Sequence, residues 1–266
     1  MPLPARGVAG LIALIAWSVP AKSATISQLW DFADPLASER RFRDAVGTAQ
    51  GDLRLELETQ VARTYSLRGR FQDAHKLLDE VEPRLASAAV KPRVRYLLER
   101  GRTFNSAGDK VSALRLFREA WELARERGEE DLAIDAAHMV AIVEGGEKAL
   151  EWNLMALPLA TQAKDAEARR WRAPLLNNIG YELKELGRYD EALHYFEQAL
   201  AAYEERGDKR TIRIAHWMMA HTLRLSGKYE EALVIQLRLK AEFAADGEVD
   251  EHVLKEIGEL HEALGR

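Results

Sequence analysis

The chain contains no cysteine, which excludes disulfides, thiol nucleophiles, iron–sulfur clusters and cysteine-ligated zinc together. It leaves the compartment open. Valine and isoleucine are sparse beside alanine, leucine, glutamate and arginine, and that balance favours helix over sheet. With 47% hydrophobic and 30% charged residues, the chain is too apolar to be disordered. Basic excess is absent too: a net charge of -5 argues against a nucleic-acid partner. The two basic clusters, Arg40-Arg41-Phe42-Arg43 and Arg169-Arg170-Trp171-Arg172, read as solvated helix faces. There is no HExxH and no phosphate-binding glycine loop. His216 and His221 are five residues apart, on different helix faces, so they do not make a metal pair. Asp135 and His138 lie one turn apart with no serine or cysteine nucleophile beside them. The expectation is therefore no catalytic residue, no metal and no cofactor.

Long apolar runs are lacking beyond the first two dozen residues. Arg6 precedes an apolar stretch from Val8 to Val19, followed by Pro20 and Ala21-Lys22-Ser23-Ala24. This pattern resembles a secretory signal peptide over residues 1–23 and is short for a bilayer span. Export, periplasmic or secreted, is the expected localisation. A mis-called start before a cytoplasmic domain is the alternative. No membrane span is expected in the mature chain.

Internal repetition is what the sequence does have. Small residues recur at Ala62, Gly101, Ala137, Gly180, Ala220 and Gly258, at intervals of 39, 36, 43, 40 and 38 residues. Twelve residues after each of the first five stands an alanine: Ala74, Ala113, Ala149, Ala192 and Ala232. Seven residues after the small residue comes a glycine (Gly69, Gly108, Gly187, Gly227, Gly265), except in the third unit, where Glu144 precedes Gly145. A second punctuation follows at Gly128-Glu129, Gly207-Asp208 and Gly247-Glu248. Glycine ends a helix in the left-handed conformation at little cost, and the acidic residue after it can cap the next helix. Each unit thus reads as helix, tight turn, helix, loop. Within the helices Leu176, Ile179 and Leu183, then Leu193, Phe196 and Leu200, keep helical spacing. One such hairpin cannot bury its apolar face alone, so the units must stack. Gly51-Asp52 sits where an inter-repeat loop belongs.

The runs Asn178-Ile179-Gly180-Tyr181, Leu186-Gly187-Arg188-Tyr189-Asp190-Glu191-Ala192-Leu193 and Tyr195-Phe196-Glu197-Gln198-Ala199-Leu200 resemble a tetratricopeptide repeat. Leu225–Leu233 and Ser106–Leu114 are similar. The third unit departs with Asn153 where a large apolar residue is usual, and the fifth with Gln236. The resemblance implies an all-α fold: a right-handed solenoid of helix hairpins with single capping helices at both ends. Five repeats are expected at 55–88, 94–127, 130–163, 173–206 and 213–246, with caps at 36–50 and 251–265 and a lead segment at 24–35. The period of about 40 residues looks like the long-helix variants of bacterial regulators and kinesin light chains.

In this family the first helices line a concave groove that holds a partner segment. Residue by residue, the groove positions become Thr59 and Arg63; Leu98, Arg102 and Asn105; Ile134 and His138; Asn177, Asn178, Tyr181 and Lys184; Trp217, His221 and Arg224. Arginine and asparagine suit carboxylates and an extended backbone, and Tyr181 and Trp217 suit an aromatic or aliphatic anchor. The expected function is a non-enzymatic protein- or peptide-binding scaffold. The alternatives are self-assembly into a homo-oligomer seeded by exposed Trp30, Phe32, Trp152 or Trp171, and a ligand or peptide sensor acting through a separate effector. A chaperone-tail clamp is not expected: Asn178 matches its central residue, but Ile134, Ile214 and Met218 replace its basic ones.

Overall fold

The computed structural model describes residues 25–266, so the expected signal segment lies outside the described residues. Among the described residues all regular structure is helical. A single turn, α1 (Ile26–Leu29), leads into α2 (Pro35–Thr48). Five hairpins follow: α3 (Gly51–Leu67) with α4 (Phe71–Val81) and a 3-10 extension (Glu82–Ser87); α5 (Val90–Ser106) with α6 (Lys110–Arg127); α7 (Glu130–Glu144) with α8 (Gly146–Gln162); α10 (Arg172–Glu185) with α11 (Tyr189–Glu204); and α12 (Lys209–Leu225) with α13 (Tyr229–Ala245). A one-turn insert, α9 (Ala166–Arg169), lies between the third and fourth, and α14 (Glu251–Ala263) stands alone at the end. No described helix is long and apolar enough to cross a membrane.

The turn glycines do what their positions imply. Gly69, Gly108, Gly187 and Gly227 all have positive φ. The residue after each donates its N–H five residues back: Arg70 to Tyr65, Asp109 to Phe104, Arg188 to Leu183 and Lys228 to Leu223. This closes the last turn and aims the chain into the second helix. In the third repeat the turn moves by one residue, with positive φ at both Gly145 and Gly146. Asp109, Asp208 and Asp250 cap α6, α12 and α14 through their side chains. Gly51, placed by its sequence in a loop, is instead the first residue of α3.

The small residue of each first helix marks a helix crossing with the residue sixteen later. A Cβ added at Gly101 would lie 2.5 Å from Phe117, and one at Gly180 would lie 2.7 Å from Phe196. Each fully buried phenyl ring therefore occupies the space that glycine vacates. Where the first helix carries alanine, the opposing residue is not aromatic: Leu78 answers Ala62, Asn153 answers Ala137 and Gln236 answers Ala220, all buried.

Two of these substitutes are polar. Asn153 Nδ2 donates to the Ala149 carbonyl (2.9 Å), but its Oδ1 has no partner, nor has either amide atom of Gln236. A buried unpaired polar group costs about 1–3 kcal/mol. Gln236→Leu is therefore expected to stabilise the chain by about 1–2 kcal/mol, read as a higher urea midpoint. An unchanged or lower midpoint would contradict this packing account.

Candidate functional site

The groove side chains of the first helices are linked from repeat to repeat by one rule. The residue just after the small packing residue pairs with the residue two before the next one. Arg63 Nη1 lies 3.7 Å from Glu99 Oε1. Arg102 Nη2 donates to Asp135 Oδ1 (2.5 Å). Asn178 Nδ2 donates to His138 Nδ1 (3.2 Å). His221 Nδ1 meets Glu256 Oε1 (3.0 Å). One junction breaks the rule: Tyr181 faces the position of Met218, and no polar pair forms there. Tyr181 is 44% exposed and Met218 is buried.

North of that break, towards the N-terminus, the lane is closed. Arg102 Nη1 also donates to Glu99 Oε1 (2.7 Å), and Gln60 Nε2 donates to the same oxygen (3.1 Å). Burial alone would favour the neutral form of Arg102, but Asp135 and Glu99 outweigh it and raise its pKa. Burial opposes ionisation of Asp135 as well, yet Arg102 and Arg63 hold its pKa down. Burial followed by repulsion from Arg102 lowers the pKa of Arg63. His138 is pushed down by burial, so its neutral ring accepts from Asn178. Burial, followed in effect by the opposing hydrogen bond of Trp171 Nε1 (2.8 Å), leaves Asp131 with a raised pKa.

The lead segment adds to this closure. Trp30 Nε1 donates to Gln60 Oε1 (3.0 Å). Trp30 stacks on Phe32 (4.8 Å), and the Arg63 guanidinium lies 5.1 Å from the Trp30 ring and 5.3 Å from that of Phe32. Thr59, Leu98 and Ile134, expected to line the groove, are fully covered at its floor. The aromatic residues expected to be exposed for self-assembly are mostly packed as well. Trp30 sits on Phe42, Trp152 on Trp121 and Trp171 on His138, and only Phe32 is exposed. The sequence pattern does not separate these cases, because the same aromatic side chain serves as seal or as surface depending on what crosses it.

South of the break the lane closes again. Arg224 Nε donates to Glu256 Oε2 (2.8 Å) and its Nη2 to Oε1 (2.9 Å). Glu256, on the capping helix expected at 251–265, is buried beneath these donors. Between the closed ends stand Asn177, Tyr181, Lys184 and Trp217. The Asn177 Oδ1 and Trp217 Nε1 atoms occupy equivalent places in successive repeats, and each is covered without a partner. Lys184 Nζ lies 4.6 Å from the centre of the Tyr181 ring and 2.6 Å from Glu185 Oε1. Trp217 stacks on His221 (5.0 Å). Asn105 is half-buried, two repeats away from this group, and makes no side-chain hydrogen bond among the described residues.

Residues 171–238, which contain the break, match the tetratricopeptide repeat family profile. That stretch carries tetratricopeptide repeats. Its repeat fold is similar to a solved kinesin light chain of Podosopora anserina with nearly identical TPR-like repeats, at 18% identity, 75% of this chain, 99% of that one and a TM-score of 0.62. It is also similar to BtubC (BKLC) from P. vanneervenii, at 16% identity, 85% and 94% coverage and a TM-score of 0.65. NprR solved in complex with its cognate peptide NprX matches at 18% identity, 87% and 68% coverage and a TM-score of 0.55. At such identities the likeness is one of fold. No curated protein matches the sequence significantly.

Proposed function

We propose that the chain is a non-enzymatic scaffold that holds an extended peptide or protein segment across α10 and α12, where the inter-repeat ladder is interrupted. One observation carries this reading: Tyr181 and Met218 fail to form the polar pair made at the neighbouring junctions, and Asn177 and Trp217 beside them hold unpaired polar atoms. A peptide backbone supplies an N–H for Asn177 Oδ1 and a carbonyl for Trp217 Nε1. Modest rotation of each side chain onto such a backbone would relieve an unpaired polar atom. Tyr181 offers an exposed ring as anchor. The fold neighbour solved with its cognate peptide lends support.

The arginines and histidines expected to grip the partner already hold carboxylates or an amide of their own chain, so little salt dependence is expected. Panning a random linear peptide display library on the folded chain tests the reading. Enriched peptides are expected, with Tyr181→Ala or Trp217→Ala weakening binding by about 2 kcal/mol, roughly thirtyfold. No enrichment would contradict it, as would peptides indifferent to Asn177→Ala, Tyr181→Ala and Trp217→Ala but lost on changes at Val111 or Val234 of the second helices α6 and α13.

A further inference from the structure

South of the proposed lane the last junction of the stack holds a cavity of about 770 Å³ between α12, α13 and α14. Its apolar walls come from Ile214 and Trp217 of α12, Leu239 and Phe243 of α13, and Val253 of α14. Ile214 and Trp217 are groove-side residues, and the Trp217 and His252 rings lie 6.4 Å apart, so the cavity opens beside the lane. Its volume falls in the range of small-ligand sites, about 300–1,000 Å³.

The corresponding positions one repeat earlier differ at the aromatic residue, where Tyr203 is buried and Phe243 is only partly so. There Ala199, Tyr203 and Ala215 stand where Leu239, Phe243 and Val253 stand later, and all three are buried in one cluster. Five residues (246–250) separate α13 from α14, against four (205–208) between α11 and α12. The longer link accompanies the open junction.

The charges of Arg213 and Lys209 at the cavity are matched within the chain, while Arg210 makes no ion pair among the described residues. Arg213 Nη2 bonds Asp246 Oδ2 (2.5 Å), with Glu248 at 3.6 Å and Glu242 at 3.7 Å. Its guanidinium carbon lies 4.3 Å from the centre of the Phe243 ring. Lys209 pairs with Asp246 too. Two aromatic rings with three aliphatic side chains call for an apolar ligand.

The geometry points to a specificity pocket that receives one aromatic side chain of the peptide held across α10 and α12. The occupant rests on the proposed function, whereas the cavity does not. The test uses N-acetyl-L-tryptophanamide as probe and N-acetyl-L-alaninamide as control. It is read by NMR on the Trp217 indole N–H, assigned with Trp217→Phe, and on the Val253 methyls.

Saturable shifts with the tryptophan probe alone are expected, weakened at least tenfold in Ile214→Trp, where the new ring fills the cavity. Ile214 is 46% exposed, so that variant should fold, and His252→Trp serves as a second filling variant. Shifts that are absent, equal for both probes, or unchanged in the filled variants would overturn the pocket. Peptides enriched by display with a silent probe would overturn the pocket and leave the lane standing. A bound probe with no enriched peptide would overturn the lane and leave the pocket as a site for an aromatic molecule.

Discussion

Gly180→Leu is expected to destabilise the stack by about 3 kcal/mol, the upper end of what overpacking costs. A Cβ alone would sit 2.7 Å from Phe196 Cε1, and the ring is fully buried. Because each repeat touches only its neighbours, the loss falls on the fourth repeat and should split one thermal transition into two. The crossing account also predicts a rescue. Gly180→Ala with Phe196→Leu recreates the Ala62 and Leu78 pairing of the first repeat, so the double variant should be more stable than the sum of the singles requires. A Gly180→Leu chain that melts like the parent, or strict additivity in the double variant, would contradict it.

The second large effect concerns the cap. Burial pushes the Glu256 carboxyl upward, but hydrogen bonds from His221 and Arg224 outweigh it and hold its pKa at about 2. The folded value lies below the ordinary one, so the stabilisation is complete above about pH 4.5 and disappears as pH falls towards 2. That depression corresponds to about 3 kcal/mol. Glu256→Gln should therefore lose about 3 kcal/mol at neutral pH, and the gap to the parent should shrink as pH falls from 4.5 to 2. Amide exchange across α14 would show the released helix directly. A gap that does not change with pH would mean that the carboxylate charge is not what docks the cap.

How much of this was legible in the sequence follows from the physics of each feature. Small residues at Gly101 and Gly180, with alanines twelve later, mark places where two helices meet too closely for larger side chains, so the hairpins and their order could be read. The helix starts were less visible. α3, α5 and α12 begin about four residues before the expected repeat boundaries because their first turns extend into the linkers.

At the site, the groove column was legible but its pairing was not. Arg63, Arg102, His221 and Arg224 looked free because their carboxylates lie one repeat away, at Glu99, Asp135 and Glu256. A signal was present: Gln60, Glu99, Asp135, Asn178 and Glu256 all stand two before the small residue, and Met218 alone in that column is apolar. The terminal cavity had no such signature, since it depends on how α14 packs against α12 and α13.

The most direct test of the scaffold is to repair the ladder. In the double variant Tyr181→Arg with Met218→Glu, the fourth junction acquires the charge pair that Arg102 and Asp135 make at the second. Its affinity for a display-selected peptide is measured beside its melting temperature. The account predicts binding weakened at least tenfold with melting unchanged or raised, because the partner then competes with an intramolecular ion pair. A folded double variant that binds the peptide as the parent does would contradict it.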